Sequence, residues 1–367
     1  IIFLFYIIFV ALFNLFVSVF SYKKVETFTI PQNFEVQPLS SDKMFQQSNN
    51  KIITDNNEEE KNLVGQEIFS EKNQEVIFPQ DEAAHARMLR EWWYLSANVV
   101  DVKNQEKKFN LVLLLYKNGT SLFKISNLEN GKNYFAQLPL LTDVNFSDKK
   151  LNIDFFSGNL AEIKNNEYRL YFNNKEISID LSLVSLKKPF TLINNENFLY
   201  YQQTRVETFG NISFDGQKYE VKGLSWIDHQ GFSSSEPTIH NWRWLAIQLD
   251  NNIELVWLYF LSEDAKVEDF FNKIIIYSDG KSRVLDYPDF SWHDSKYLES
   301  QKYGEKYPVT TDLFLPSLAT NLKIDIFPPN QGVELMGGLY EGGGNVSGHF
   351  NGKKVTGIVQ QEITSSK

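Results

Sequence analysis

From about residue 95 onward the chain is patterned in short apolar or alternating runs. They recur at Phe109–Tyr116, Leu151–Phe156, Tyr168–Phe172, Ile177–Val184, Tyr219–Ile227, Trp242–Leu249, Ile253–Leu261, Lys273–Tyr277 and Leu322–Phe327. A period of two sends successive side chains to opposite faces, so these runs predict β-strands. Turn dipeptides punctuate them: Asn118-Gly119, Asn130-Gly131, Asp215-Gly216, Asp279-Gly280 and Asn351-Gly352. Such pairs supply the positive φ that tight hairpins demand. FGNISFDGQKYEVKGLSWI and SGHFNGKKVTGI read as hairpins. No segment longer than ~12 residues sustains a helical period there, so helices are a minor component. Many antiparallel strands at short spacing mean a sandwich or barrel, and closure removes exposed edges.

The first 76 residues differ. Residues 1–20 are nearly all apolar, long enough at ~1.5 Å per residue to span a bilayer. Residues 1–21 are therefore expected to be a signal peptide or an N-terminal membrane anchor, and the rest of the protein extracytoplasmic. Residues 22–76, with DNNEEEKN at 55–62, cannot bury a core and read as a flexible linker. The remainder divides into two β-rich halves, 77–235 and 236–367.

Composition narrows the partners. Aromatic residues make up 15% of the chain, with 30 Phe, 17 Tyr and 7 Trp, a load that suits β-rich proteins or apolar cavities. A net charge of -10 argues against nucleic acid, whose phosphates need clustered Lys and Arg. With no cysteine, thiol nucleophiles and Cys-ligated zinc are excluded. The five histidines, at 85, 229, 240, 293 and 349, show no metal-ligand spacing, so no metal and no cofactor are expected. Ser225 in GLSWI lacks the second glycine of a nucleophile elbow. The glycine-rich GGLYEGGGN at 337–345 reads as a barrel bulge or corner.

Candidate chemistry lies in a few short stretches. In EWWY at 91–94, Glu91 and Trp93 share one strand face, and Trp92 and Tyr94 the other. An interior Glu91 beside indoles would have a raised pKa and serve as an acid. Otherwise it pairs with Arg87, Arg90 or Arg205. Asp228 and His229 end a strand, where they either transfer protons to an apolar ligand or cap a turn. Tyr200, Tyr201 and Arg205 in LYYQQTRVETFG line a pocket, or divide between core and surface. Trp242 and Trp244 share a face with Arg243 opposite, as pocket walls or plain core. Convergence of Glu91, His85 and Asp228 within about 4–6 Å, at interacting distance, would favour an enzyme over a non-catalytic carrier.

FPQDEAAHARMLREWWYLSANV, LYYQQTRVETFG, VKGLSWIDHQGF, NWRWLAIQLDNNIELVWLYFL and GGLYEGGGNVSGHFNGKKVTG follow in an order that resembles the AttH/CrtC family, over roughly residues 77–360. The resemblance implies an all-β fold of two consecutive lipocalin-like (calycin) antiparallel β-barrels, 77–235 and 236–367, and a hydrophobic small-molecule ligand. The family includes carotenoid 1,2-hydratases, in which an Asp is held to protonate a terminal alkene before water captures the cation. By position that acid is Asp228, with Glu91, His229 and His85 as its catalytic companions. Substrate-binding roles fall on Trp92, Trp93, Tyr94, Tyr201, Arg205, Trp226, Trp242, Trp244, Tyr340 and Glu341. The late motif, usually YWEG, reads LYEG at 339–342, and the usual ending is reduced to GIVQQEI at 357–363. The expected function is acid–base hydration or isomerisation of an isoprenoid- or lipid-like molecule. The alternative is a non-catalytic carrier of a lipid or secondary metabolite in the cell envelope.

Overall fold

A computed structural model describes residues 74–138, 144–155, 157–233, 239–262, 271–278, 280–300, 304–327 and 339–364. The apolar segment 1–21 and the linker through residue 73 lie outside the described residues. Among the described residues no helix is long and apolar enough to cross a membrane.

The described chain is all β, curled into two antiparallel sheets. The first contains β1 (Arg90–Asp101), β2 (Lys108–Tyr116), β3 (Ser121–Asn127), β4 (Asn133–Leu138), β5 (Val144–Phe146), β6 (Asn152–Phe155), β7 (Gly158–Lys164), β8 (Glu167–Asn173), β9 (Ile177–Ser185), β10 (Phe190–Asn194), β11 (Phe198–Phe214) and β12 (Gln217–Phe232). The second contains β13 (Ile239–Leu249), β14 (Glu254–Ser262), β15 (Lys273–Ser278), β16 (Lys281–Asp286), β17 (Ser291–Glu299), β18 (Lys306–Leu315), β19 (Thr320–Ile326), β20 (Leu339–Phe350) and β21 (Lys353–Thr364). The two follow one plan. Each opens with a four-strand meander, and its last strand returns to pair with its first: β12 with β1, and β21 with β13.

Turn chemistry sets two registers. Asp215-Gly216 and Asn351-Gly352 have both central residues at positive φ, as a two-residue hairpin requires, and they close β11–β12 and β20–β21.

Among the described residues, alternation divides most apolar side chains among three cores, beside a small fourth cluster of Met88, Leu199 and Tyr201. Trp93, Leu95, Ala97 and Val99 of β1 face the interior of the first curl, with Leu111, Leu113 and Ile227. Leu245, Ile247 and Leu249 of β13 face the interior of the second. The opposite faces of the same strands meet each other. Tyr94, Val112, Leu114, Tyr200 and Trp226 from the first sheet pack with Trp244, Ala246, Val256, Ile275 and Tyr277 from the second. This third core is a seam between the sheets.

The glycine-rich stretch is not a corner. Gly342, Gly343 and Gly344 are paired residues inside β20. A Cβ on Gly343 would lie 2.6 Å from both Asn110 Nδ2 and Asn98 Oδ1, so glycine there permits close approach of the sheets.

Candidate functional site

Asp228 lies in the seam. Along β12, Trp226, Asp228 and Gln230 share the seam face, while Ile227 and His229 face the interior of the first curl. Asp228 sits opposite Tyr94 of β1 and Gln202 of β11. Its side chain is 3% exposed. The Trp226 indole N–H donates to Oδ1 at 2.6 Å and the Tyr200 hydroxyl to Oδ2 at 3.1 Å. Behind them runs a donor chain: Tyr277 Oη to Gln202 Oε1 at 3.0 Å, then Gln202 Nε2 to Tyr200 Oη at 2.7 Å. Burial pushes the Asp228 carboxyl up, the three neutral donors pull it partly back, and it titrates at about 7. At neutral pH Asp228 is therefore poised to give or take a proton.

The surroundings are aromatic. Trp244 meets Trp226 edge-on at 6.0 Å and Tyr94 at 5.4 Å. Half-buried side chains rim this end of the seam: Trp92, Tyr116, Phe198, Trp242 and Phe260. Phe232 stacks on Phe198 at 4.2 Å and on Trp92 at 5.7 Å. Aromatic faces attract positive charge, so a buried acid among them can protonate an apolar molecule and shelter the resulting cation.

Glu91, His85 and His229 form a separate cluster on the other face of the same strands. Glu91 Oε1 contacts His85 Nδ1 at 2.7 Å and His229 Nε2 at 3.0 Å. Glu91 Oε2 accepts the His85 backbone N–H at 2.9 Å, and Lys117 Nζ stands 3.4 Å away. The distal ring nitrogens turn to Asp81, His229 Nδ1 to its carbonyl at 3.0 Å and His85 Nε2 to its carboxylate at 3.4 Å. Burial works to raise Glu91, but the hydrogen bonds from His229 and His85 outweigh it and hold the carboxyl at about 2. Burial lowers His229 despite Glu91 beside it. His85 is raised, its two carboxylate partners overcoming its burial.

The three donor atoms lie within 4.8 Å of one another, a donor set that suits a divalent cation. Both proximal imidazole nitrogens, however, address a single carboxylate oxygen at hydrogen-bond distance, and Lys117 already supplies a cation. The cluster reads as a latch that fastens the 3-10 turn Gln80–Glu82 and the chain after it to the sheet. Glu91 and His85 do not converge with Asp228, the arrangement that would have favoured an enzyme; they form two clusters on opposite faces. Strand alternation separates Asp228 from His229, and the anticipated Arg partners of Glu91 are replaced by the two histidines and Lys117.

The remaining predicted residues divide the same way. Trp92, Tyr94, Trp226, Trp242, Trp244 and Glu341 belong to the seam. Trp93 stacks on His229 at 4.4 Å inside the first curl, and Tyr201 meets His229 edge-on at 5.3 Å. Tyr340 stacks on Tyr307 at 5.0 Å inside the second curl. Arg205 bridges the sheets at another point, ion-paired with Glu254 and donating to Leu249 O at 2.7 Å. Trp93, Tyr201, Tyr340 and Arg205 thus stand apart from Asp228.

Of the residues that orient Asp228, the sequence offered Tyr200 as a possible pocket residue and missed Gln202 and Tyr277; it also missed Glu362, which faces Glu341. The last was within reach, because the register fixed at Asn351-Gly352 runs unbroken from Phe350 opposite Lys353 to Glu341 opposite Glu362.

A crystal structure of a candidate AttH from Nitrosomonas europaea superposes with a TM-score of 0.64 at 17% identity, covering 79% of this chain and 97% of that one. Kievitone hydratase from Nectria haematococca superposes with a TM-score of 0.64 at 15% identity, covering 80% and 94%. At these identities the likeness establishes a shared fold, the lipocalin-like pair of curled sheets. No curated protein matches in sequence. The AttH-like family model matches residues 70–359, a span that includes the first sheet, the latch, Asp228 and the second sheet as far as Val359 of β21, and the chain belongs to the AttH-like family.

Proposed function

We propose that this protein binds an apolar, isoprenoid- or lipid-like molecule in the seam and protonates it from Asp228, in a hydration or isomerisation. The observation that carries the reading is the Asp228 carboxyl itself. It is buried, titrates at about 7, is oriented by Trp226 and Tyr200, and faces indoles and phenols rather than water. Proton transfer by a positioned side chain contributes about 10²–10⁴-fold, and a dry aromatic site lets a cation survive long enough for water to add. The fold shared with kievitone hydratase, a hydratase by name, supports this chemistry over hydrolysis. Export or membrane attachment through residues 1–21 belongs to the same proposal.

The second reading, a carrier without catalysis, needs the apolar seam but not the acid. Asp228→Asn separates the two. With geranylgeraniol as the probe alkene in deuterium oxide, the wild-type protein is expected to place deuterium on the alkene carbon, and Asp228→Asn to lose at least about 10²-fold of that rate. The rate should also fall as pH rises through about 7, as Asp228 gives up its proton. Equal binding by both proteins with no deuterium transfer by either would leave the carrier standing and remove the enzyme.

A further inference from the structure

Directly across the seam lies a second acidic group, whose nearest cation, Lys124, addresses a backbone carbonyl rather than a carboxylate. Glu341 of β20 and Glu362 of β21 are register partners, which on one face of a sheet brings Cβ atoms to about 4.5–5.5 Å, where like charges repel. Every hydrogen bond around them has a definite direction. The Tyr94 hydroxyl donates to Glu341 Oε2 at 2.9 Å and Gln360 Nε2 to the same oxygen at 2.8 Å. The Trp242 indole N–H donates to Glu362 Oε1. The nearby cation, Lys124, spends its ammonium on the Glu341 backbone carbonyl at 2.7 Å. Glu341 Oε1, fully buried, receives no donor, and the two side chains lie within interacting distance of each other. Two buried carboxyls this close cannot both ionise without repulsion, and a proton between them removes it.

We propose that Glu341 and Glu362 share one proton, carried on Glu341, and that Glu362 is the general base for the water that adds to the ligand. The base role rests on the alkene-protonation reading above. Hydration needs two proton transfers of opposite sense, and Asp228 supplies one. Its O–H bond breaks as the alkene π pair forms a C–H bond, leaving a cation on the neighbouring carbon. Water then forms the C–O bond, and its excess proton passes to the Glu362 carboxylate. The pair now holds two protons and Asp228 none. Glu362, half-buried beside Trp242 at the rim, releases one to solvent, and Asp228 takes one up.

Other groups facing the pair agree with this. Burial, then Glu362, pushes Glu341 well above the usual carboxylate range, and burial raises Glu362 as well. Burial draws the Lys124 ammonium down to about 7 against the pull of Glu341, and it sits on the Glu341 backbone carbonyl rather than on either carboxylate, so it offsets only part of the charge of the pair. Tyr94 is held protonated by burial and by Glu341, and feels Glu362 and Asp228 in turn. Asp228 likewise feels Glu362, so the three carboxyls act within one electrostatic neighbourhood.

Infrared spectra at neutral pH, exchanged into deuterium oxide, test the shared proton without any ligand. A protonated-carboxyl band is expected that disappears in both Glu341→Gln and Glu362→Gln, and is distinct from the band lost in Asp228→Asn. Gln keeps the shape of Glu, and thermal unfolding of each variant checks that the fold is retained. If both Gln variants keep every carboxyl band, the shared proton is overturned. The base role is read with geranylgeraniol. Glu362→Gln should lower hydration about 10²-fold while exchange of deuterium into the alkene persists, because the cation still forms but is not captured. Unchanged hydration in Glu362→Gln overturns the base role. Absence of deuterium exchange in the wild-type protein would remove the alkene reading and the base role with it, while the infrared bands still decide the shared proton.

Discussion

Two buried carboxyls on neighbouring strands, Asp228 on β12 and Glu91 on β1, are displaced in opposite directions. Both suffer desolvation, so the difference lies in their partners. Asp228 meets an indole, a phenol and an amide, neutral donors that offset only part of the burial cost. Glu91 meets two imidazoles, a backbone N–H and a lysine, which together favour its ionised form. Glu91 therefore stabilises the fold where Asp228 is held ready for chemistry. Because its pKa lies below the unfolded value, the Glu91 contribution is present above about pH 4.5 and is lost as pH falls towards 2. Glu91→Gln should cost about 3–5 kcal/mol at pH 7, as for other broken buried pairs. Denaturant unfolding across that acid range should also be flatter for the variant than for the wild type. Equal slopes and equal stability would remove the latch.

At the scale of the strands, the sequence pattern was legible wherever local signals decide. The Asp-Gly and Asn-Gly dipeptides placed both long hairpins, and alternation correctly separated Trp92 and Tyr94 from Glu91 and Trp93. The partners of Asp228 were not legible, for a specific reason. Counting back from Asp215-Gly216 puts Gln203 opposite Asp228, but β11 carries a bulge between Gln203 and Val206. That extra residue moves Gln202 into the position and turns Tyr200 and Gln202 towards the seam. A bulge of this kind leaves no turn residue to announce it. The pairing of β1 with β12, which brings Tyr94 to Asp228, joins residues 134 positions apart and has no local signal either. The latch depended on the same pairing, since His229 reaches Glu91 only across it.

For the whole molecule, two sheets of one plan leave a shared seam, and the proposed chemistry belongs there rather than inside either curl. The closeness of the sheets depends on β20. Asn110 Nδ2 reaches Gln360 Oε1 at 2.8 Å and Asn98 Oδ1 at 3.1 Å, and Gly343 passes beside them. Gly343→Ala forces these amides aside and should cost about 1–3 kcal/mol, the range for overpacking a filled site. It should lower the thermal midpoint and weaken probe binding together, because Glu341 and Gln360 sit on the same stretch. A variant with wild-type stability would show that the sheets are not held apart by that distance alone.

The alkene chemistry proposed for the seam depends on the protonation of one side chain. ¹³C-aspartate NMR, with the Asp228 signal assigned by its absence in Asp228→Asn, follows that carboxyl through a pH titration. The account predicts a midpoint close to 7, so that a proton is available at neutral pH. A midpoint near the ordinary value of about 3.9 would mean that Asp228 is a carboxylate under working conditions, and would contradict its assignment as the acid.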